Sequence, residues 1–367
     1  MSQVHPTPAG RVDKRPDALP CRMHRWCLAL WLAGLTAVAG AANTLDMYFI
    51  DVEGGQSTLI VTPAGESLLV DTGYGGSDGR DARRIMAAVR DAGIKQIDYL
   101  LITHFHGDHD GGIVDLARQI PVRTFVDHGN LSAEAPKDAR YREVLAAYDR
   151  YVAVRRTGRH VEAKPGDRIP LKGLEVVVVS SAAATITKPL SGAGEPNAAC
   201  TPDIPGPGEV FENPRSTGVH LRFGDFRFID LGDLTGKPLF ALFCPASLLG
   251  PVDAYMLPHH GGDDVSHPAL IAAARPRMAI VNNGQTKGGG AKTFAMLHRT
   301  SRVDVWQLHR SAIEGTVNFA DDRIANLDET TGHWIKLSAR GDGSFTVTNQ
   351  RTGATISYPK SARGSRP

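Results

Sequence analysis

The sequence has little of several features that mark specialised protein classes. Its formal net charge is only +2, from 41 basic and 39 acidic residues. It has no basic tract and no acidic tail, which argues against a dedicated nucleic-acid or membrane-surface binder. Only four cysteines occur in 367 residues, and their spacing is not that of a metal site. Glycine and proline are at ordinary levels, so the composition indicates a loop-rich globular protein rather than a disordered one.

The N-terminal region lacks an apolar run long enough to span a bilayer comfortably. A short basic region precedes the apolar residues 26–39, and several small residues follow them. This pattern is typical of a secretory signal peptide, although a retained membrane anchor is an alternative. We therefore expect residues 1–42 to be a signal peptide, with Met23 as an alternative start. The mature protein would then be periplasmic or secreted, with no other membrane segment.

Two cysteines, Cys200 and Cys244, remain after removal of that segment. An even pair in an oxidising compartment predicts one disulfide bond. Cys200 lies within residues 182–215, which are rich in proline, glycine, alanine and threonine and show no periodicity. A loop of this length in a compact domain is usually functional, so we expect a lid.

The chemistry of the sequence is concentrated just after an apolar strand predicted at residues 97–103. His104, His106, Asp108 and His109 lie within six residues. Alternate strand residues share a face, so His104 and His106 can converge on one metal ion. Asp108 and His109 lie in the following turn and can supply a second ion. Imidazole and carboxylate donors suit Zn²⁺ best, with Mn²⁺ or Fe as alternatives.

The pattern His-x-His-x-Asp-His resembles the signature of the metallo-β-lactamase superfamily, whose members are mostly binuclear metal hydrolases. Residues 67–73, 228–233 and 256–262 resemble three further segments of that family, in the same order. The resemblance covers residues 45–310 and implies the family's fold.

The order of predicted elements agrees with an α/β fold of the αββα sandwich type, because strands come first and helices then alternate with strands. We expect a catalytic domain at residues 43–310 and a C-terminal extension at residues 311–367. Apolar and polar residues alternate on both sides of the turn at residues 340–343, which predicts a β-hairpin in the extension.

The resemblance also implies roles for single residues. Asp233 would bridge two metal ions, His260 would be a metal ligand, and Asp71 would orient ligands through hydrogen bonds. The family usually carries a third ligand of the first metal, a histidine, in a segment that corresponds here to residues 211–218, which contain none. His128 could be this missing ligand, contact the substrate, or be a solvated turn residue.

Other residues are candidates for contact with a substrate. Asn213, Arg215 and Ser216 could bind a phosphate or carboxylate, with Arg215 as a forked donor, or could simply cap a turn. His309 could face the site from the end of a strand. His259, beside the predicted ligand, is a candidate for substrate contact or for proton donation.

These patterns together predict a secreted binuclear zinc hydrolase with a small-molecule substrate. A metal-bound hydroxide, with its pKa lowered towards ~7, would be the nucleophile. Asp108 or His259 would orient it or protonate the leaving group. The doubled histidine at 259–260 and the missing lactamase segment favour a phosphoester over the alternative, a lactone or β-lactam.

A non-enzymatic alternative comes from residues 49–57 and 213–216. These segments are similar to the β-lactamase-like domain of bacterial DNA-uptake channel proteins, a branch that also resembles the phosphorylcholine esterases. The near-neutral charge gives little electrostatic affinity for DNA, and His104 and His106 are intact. We therefore expect no stable nucleic-acid partner.

Overall fold

Two β-sheets packed face to face form the centre of the protein. The computed structural model describes residues 43–131, 139–206, 210–300 and 302–361, and the predicted signal peptide lies outside them. The strands are β1 (Leu45–Phe49), β2 (Thr58–Val61), β3 (Ser67–Val70), β4 (Ile97–Leu101), β5 (Val122–Asp127), β6 (Arg159–Glu162), β7 (Glu175–Ser181), β8 (Ala184–Thr185), β9 (Gly218–Phe223), β10 (Phe226–Asp230), β11 (Ala254–Met256), β12 (Met278–Val281), β13 (Asp304–His309), β14 (Ile324–Asn326), β15 (Ile335–Ala339), β16 (Phe345–Asn349) and β17 (Thr355–Tyr358).

Helices cover the outer faces of both sheets. They are α1 (Arg80–Asp91), α2 (Ile113–Ala117), α3 (Ala139–Arg155), α4 (Gly236–Ala241), α5 (Pro268–Ala274) and α6 (Ala291–His298). The first three pack on one sheet and the last three on the other. Among the described residues, none of the helices has the length and apolar character needed to cross a membrane.

The strand order explains how residues far apart in sequence reach one edge. The first sheet runs β17-β16-β15-β1-β2-β3-β4-β5-β6, and the second runs β14-β13-β12-β11-β10-β9-β7-β8. Strands β3 to β6 are parallel, as are β10 to β14. Parallel strands end at the same edge of a sheet, where ligands usually bind. The segments after β3, β4, β10 and β11 therefore converge.

Alternation along the strands builds three apolar layers. In β3, Leu68 and Val70 face the core between the sheets, whereas Leu69 faces the helices. In β10, Phe228 faces the core between the sheets and Ile229 faces the outer helical layer. Because both faces of each central strand are buried, a register shift of one residue would expose none of the apolar side chains and would instead misplace the loops. The predicted αββα architecture is confirmed.

The predicted C-terminal hairpin is present as β15 and β16. It is not separate from the sandwich, because β15 pairs antiparallel with β1 and β17 adds a further strand. Ile335, Leu337 and Val347 are buried in the core between the sheets. The C-terminal segment therefore completes the first sheet.

The predicted disulfide bond between Cys200 and Cys244 is also present, with its Cα atoms 5.8 Å apart. Backbone hydrogen bonds from Leu190 to Leu248 and from Asn197 to Pro245 attach the same loop. The described part of the predicted lid is thus fastened to the segment that follows α4.

Candidate metal centre

Four buried side chains meet where the strands end. Asp108 and His109 come from the turn after β4, Asp233 from the turn after β10, and His260 from the turn after β11. One ligand atom from each lies within 4.8 Å of all the others. The sequence predicted all four as metal ligands, and the structure brings them together.

The distances within this group suit a cation. His109 Nε2 lies 3.2 Å from carboxylate oxygens of both Asp108 and Asp233, and His260 Nε2 lies 3.2 and 3.1 Å from the same two groups. Four donors around a tetrahedral zinc ion, with bonds of about 2.0–2.1 Å, are separated by about 3.3 Å. Among the described residues, neither Nε2 atom has a hydrogen-bond partner. The donor set therefore fits a zinc-sized ion.

Asp71 holds the ligand His109 in position. The ring Nδ1 of His109 lies 2.7 Å from Asp71 Oδ2. The backbone N–H and the hydroxyl of Thr103 donate to the same carboxylate, at 2.8 and 2.7 Å. With Nδ1 bound to a carboxylate, Nε2 points into the group of ligands, which is the usual arrangement behind a metal-binding histidine.

The electrostatics of the group match this geometry. Burial alone would raise the pKa of Asp108 and of Asp233. The neighbouring His109 outweighs burial at both, with Lys287 helping at Asp108 and His260 at Asp233, so both values lie well below the usual range. Burial, together with His109 and His106, lowers the pKa of His104 well below its ordinary value. The carboxylates are thus ionised, and His104 is neutral, as ligands must be.

His104 and His106 lie beside this group. His104 Nε2 is 2.9 Å from His106 Nδ1 and 3.9 Å from Asp233 Oδ2. The two imidazoles converge, but β4 ends at Leu101, so both lie in the loop after the strand and not on a strand face as predicted. They lie next to the four-residue group, on the side of Asp233, without being part of it.

His128 is not part of the four-residue group. Its Nε2 lies 3.0 Å from the carboxylate of Glu212, and its ring packs against Phe105 at 4.5 Å between centroids. Glu212 also accepts a hydrogen bond from the Phe105 N–H at 3.0 Å. Sequence analysis missed Glu212, although it belongs to the segment in which the family's histidine is absent.

His259 forms a charged pair that the sequence did not reveal. Its Nδ1 lies 2.8 and 2.7 Å from the two carboxylate oxygens of Asp264. Its Nε2 lies 3.8 Å from Asp233 and 3.3 Å from the Asn213 amide nitrogen. Burial lowers the pKa of His259, but Asp233 and Asp264 raise it more, so the net shift is upward. A partly exposed histidine with a raised pKa therefore borders the metal ligands.

The turn that carries both histidines needs an unusual backbone. His259 and His260 both have positive φ, of 48° and 54°, a conformation that non-glycine residues seldom adopt. Gly288 packs against this turn, and a Cβ there would lie 2.4 Å from the Cβ of His260. Contact with a glycine-rich segment thus helps to maintain the turn that presents the ligand.

The three predicted substrate residues lie close to the metal motif, in different settings. Asn213 contacts His259, as described above. The Arg215 guanidinium lies 3.9 Å from the Glu212 carboxylate, and its side chain is partly exposed. Ser216 is fully buried, and its carbonyl accepts a hydrogen bond from the Ser180 hydroxyl. Asn213 and Arg215 are therefore better placed for a substrate than Ser216.

The structure places His309 in a different group. His309 lies 3.5 Å from Glu53, which forms a second cluster with Asp51. The two ring nitrogens of His309 lie 3.1 and 3.0 Å from the carbonyl oxygens of Arg310 and Asp328. Both nitrogens are therefore engaged by backbone, and the structure does not bring this fully buried residue to the four metal ligands.

Lys287 is a further residue that sequence analysis missed. Its ammonium group contacts the Asp108 carboxylate and lies 3.3 Å from the Tyr74 hydroxyl. Burial lowers the pKa of Lys287, but Asp108, Tyr74 and Asp233 together raise it more, and the net shift is upward. It stands alone in a glycine-rich turn, with no motif that indicates contact with a ligand.

Comparison with known proteins agrees with this geometry. Residues 50–194 match the family model described as the metallo-beta-lactamase superfamily. The chain carries a domain of the metallo-β-lactamase superfamily, whose members are mostly hydrolases.

Individual relatives match only in part. The atrochrysone carboxyl ACP thioesterase of Aspergillus terreus is 42% identical over 67 residues, which are 18% of this chain and 20% of that protein. ComE operon protein 3 of Bacillus subtilis is 24% identical over 274 residues, which are 71% of this chain and 30% of that protein. The chain thus matches under a third of either relative. Among solved structures, the metallo-beta-lactamase fold protein YhfI of Bacillus subtilis is 9% identical, with a TM-score of 0.40 over 71% of this chain and 95% of that one.

Proposed function

We propose that this protein is a binuclear metal-dependent hydrolase, with zinc as the favoured metal, and that its substrate is a phosphoester. The observation that carries the proposal is the meeting of Asp108, His109, Asp233 and His260 beside the pair His104 and His106. Six donors of this kind, five of them buried, at the end of parallel strands and behind a partly exposed histidine, suit catalysis better than a purely structural site.

The residues divide the work of such a reaction. Asp108, His109, Asp233 and His260 would hold one ion, and His104, His106 and Asp233 the other. When bound, the ions would supply a water nucleophile at neutral pH and polarise the substrate oxygen. His259, whose pKa Asp233 and Asp264 raise, is the candidate to donate a proton to the leaving group.

The choice of a phosphoester rests on the cations beside the ligands. Arg215 and the raised-pKa His259 offer donors for the anionic oxygens of a phosphoryl group, and the Asn213 side-chain amide lies beside His259. Charge-assisted hydrogen bonds of this kind contribute roughly 1.5–3 kcal/mol each. A neutral lactone or ester would make little use of them.

Carbonyl-ester chemistry is the second candidate, and one finding favours it. The segment matched at 42% identity belongs to a protein named as an acyl-carrier thioesterase. Thioesters, lactones and β-lactams share an electrophilic carbonyl, so the same metal centre could serve them.

A substrate panel separates the two candidates. Zinc-loaded mature protein would be assayed with a phosphodiester, a phosphomonoester, a thioester, a lactone and a β-lactam. We expect the phosphodiester to be cleaved best, and Arg215→Ala to lower kcat/KM for it about 10- to 100-fold with zinc content unchanged. Good cleavage of a carbonyl substrate, with none of the phosphoesters, would replace this proposal with the second candidate.

We also propose that the protein acts in the periplasm or outside the cell. The disulfide bond between Cys200 and Cys244 supports this location, because such bonds persist in oxidising compartments. N-terminal sequencing of the exported protein should find a mature start near residue 43. A start at or before residue 23 in the exported protein would contradict the predicted cleavage.

A further inference from the structure

A basic cavity lies on the outer face of the second sheet. Its volume is about 460 Å³, and none of the metal ligands lines it. Its floor is formed by β7, β9 and β10, and residues 185–191 form one wall. This wall is fixed by backbone hydrogen bonds from Ile186 to Val179 and from Leu190 to Leu248. The cavity is therefore a built feature of the fold and not a gap beneath a loose loop.

Positive charge dominates the lining. Arg168, Lys188, Arg222 and Arg227 line the cavity, and the one acidic residue among its lining residues is Glu175. Glu175 already pairs with Arg168, at 2.6 Å. The remaining three cations form no ion pair with any described residue. The cavity thus has an excess of positive charge, in which Lys188 and Arg222 are solvent-exposed and Arg222 Nε donates to the Gly224 carbonyl.

Two of these cations face each other across adjacent strands. Arg222 of β9 and Arg227 of β10 are direct partners in the antiparallel register. Like charges directly opposite each other destabilise a sheet. An anion between the two guanidinium groups would relieve this repulsion, and each group could offer a forked pair of donors to it.

A buried imidazole completes the lining. His220 is 6% exposed and lies on the same face of β9 as Arg222, two residues away. It lines the cavity, and within the described chain its Nε2 has no hydrogen-bond partner. Burial first, and then Arg227 and Arg222, lower the pKa of His220 to about 4, so both arginines lie close enough to act on the ring. A buried polar atom without a partner is costly, which indicates that a ligand completes it.

We infer that this cavity binds a small dianionic oxyanion, either a phosphate group or a dicarboxylate. The Arg222 and Arg227 guanidiniums would bind its charged oxygens. His220 would donate from the floor in the tautomer that carries its proton on Nε2, and Lys188 would approach from the wall. The two arginines and the imidazole share one sheet face, so they can contact a single group of this size. This binding site is separate from the proposed metal centre and does not depend on its activity.

Calorimetric titration of the mature, zinc-loaded protein with inorganic phosphate and with succinate tests the inference. We expect saturable binding of at least one of them, and Arg227→Gln and Arg222→Gln should each weaken it about 10- to 100-fold. Arg118→Gln, which removes an exposed arginine outside the cavity, is the matched control and should bind as the wild type does.

Two further measurements fix the location of binding. His260→Ala disrupts the metal centre and should leave the cavity's affinity unchanged, so phosphate bound at the metal ions would be recognised by its loss in this variant. The ring ¹⁵N signals of His220 should shift on titration. The inference is overturned if neither anion binds, or if binding survives both cavity variants and vanishes in His260→Ala.

Discussion

Two buried clusters in this protein contain the same kinds of residue and differ in what neutralises them. The metal centre joins Asp108 and Asp233 with His109 and His260, and the second cluster joins Asp51 and Glu53 with His309. In both clusters the residues come at the end of a strand or in the segment that follows it. Carboxylates buried together need a cation nearby.

The second cluster has that cation within the chain. Arg84 Nη1 lies 3.0 Å from Asp51 and 2.8 Å from Glu53, and the ring nitrogens of His309 face two carbonyl oxygens. In the metal centre the Nε2 atoms of His109 and His260 face the carboxylates without hydrogen bonds. Composition alone therefore does not define a metal site. The direction of the imidazole nitrogens, and the presence of an internal guanidinium, decide which cluster is open to an ion.

The largest effect should come from removing a histidine from the metal centre. His260→Ala should lower zinc affinity by more than about 100-fold, because even the partners behind a ligand contribute 10- to 100-fold. His309→Ala is the matched control from the second cluster and should leave zinc content unchanged. Metal analysis after dialysis measures both, and equal zinc loss in the two variants would abolish the distinction between the clusters.

In the second cluster, loss of the internal cation Arg84 should lower the stability of the protein. Arg84→Met would leave the carboxyl groups of Asp51 and Glu53 without the guanidinium that hydrogen-bonds to both, which costs about 1–3 kcal/mol of unfolding free energy. The exposed pair of Arg118 and Asp115 offers a control, since Arg118→Met should cost less than about 1 kcal/mol. Urea denaturation measures both variants. If Arg84→Met left the unfolding free energy unchanged, Arg84 could not be the cation that stabilises the second cluster.

The pH dependence of stability should sharpen the same comparison. Burial raises the pKa of Asp51 to about 8, and the neighbouring Glu53 adds to the increase. A raised carboxyl pKa means that the folded state holds a proton that the unfolded chain releases near pH 4. The stabilisation is therefore present below about pH 4 and is lost as pH rises towards 8.

Asp51→Asn should remove this dependence. Between pH 5 and pH 8 the wild type should lose on the order of 2–4 kcal/mol of unfolding free energy relative to the variant, because each pKa unit corresponds to about 1.4 kcal/mol. Urea denaturation at both pH values gives the difference, in which the contribution of bound metal cancels. Parallel stability curves for the two proteins would show that Asp51 is ionised throughout this range.

Much of the fold could be predicted because its elements have strong local patterns. The alternation around residues 340–343 predicted β15 and β16, and the apolar run at residues 97–103 predicted β4. The elements that were not predicted, α4, β6, β8, β14 and β17, are all short. Strands such as β6 and β17 are polar and largely exposed at sheet edges, so tertiary pairing rather than local propensity determines them.

The metal ligands could be predicted because the motif places them in adjacent positions. Asp264, Glu212 and Lys287 could not, because each reaches its partner through loop conformation and lies in no recognisable pattern. His309 shows the opposite failure: its position at the end of β13 resembles that of a site residue, but its ring is engaged by the carbonyls of Arg310 and Asp328. A one-dimensional pattern places a residue at an edge and does not reveal where its nitrogens point.

The smallest predicted effect concerns Lys287, a cation beside the metal centre that corresponds in part to Arg84 of the second cluster. Its ammonium contacts Asp108 but is 39% exposed, so solvent weakens the interaction. A zinc ion must compete with it for the carboxylate. Lys287→Met should therefore raise zinc affinity, by only about two- to five-fold because exposed ion pairs contribute little. Competition with a zinc chelator measures this, with Lys336→Met, which removes a cation paired with Asp46, as the control. A fall in zinc affinity would mean that Lys287 holds Asp108 in its ligating position. Both clusters would then contain a cation of the chain itself, and they would differ in the role of that cation: Arg84 would neutralise carboxylates, and Lys287 would position one.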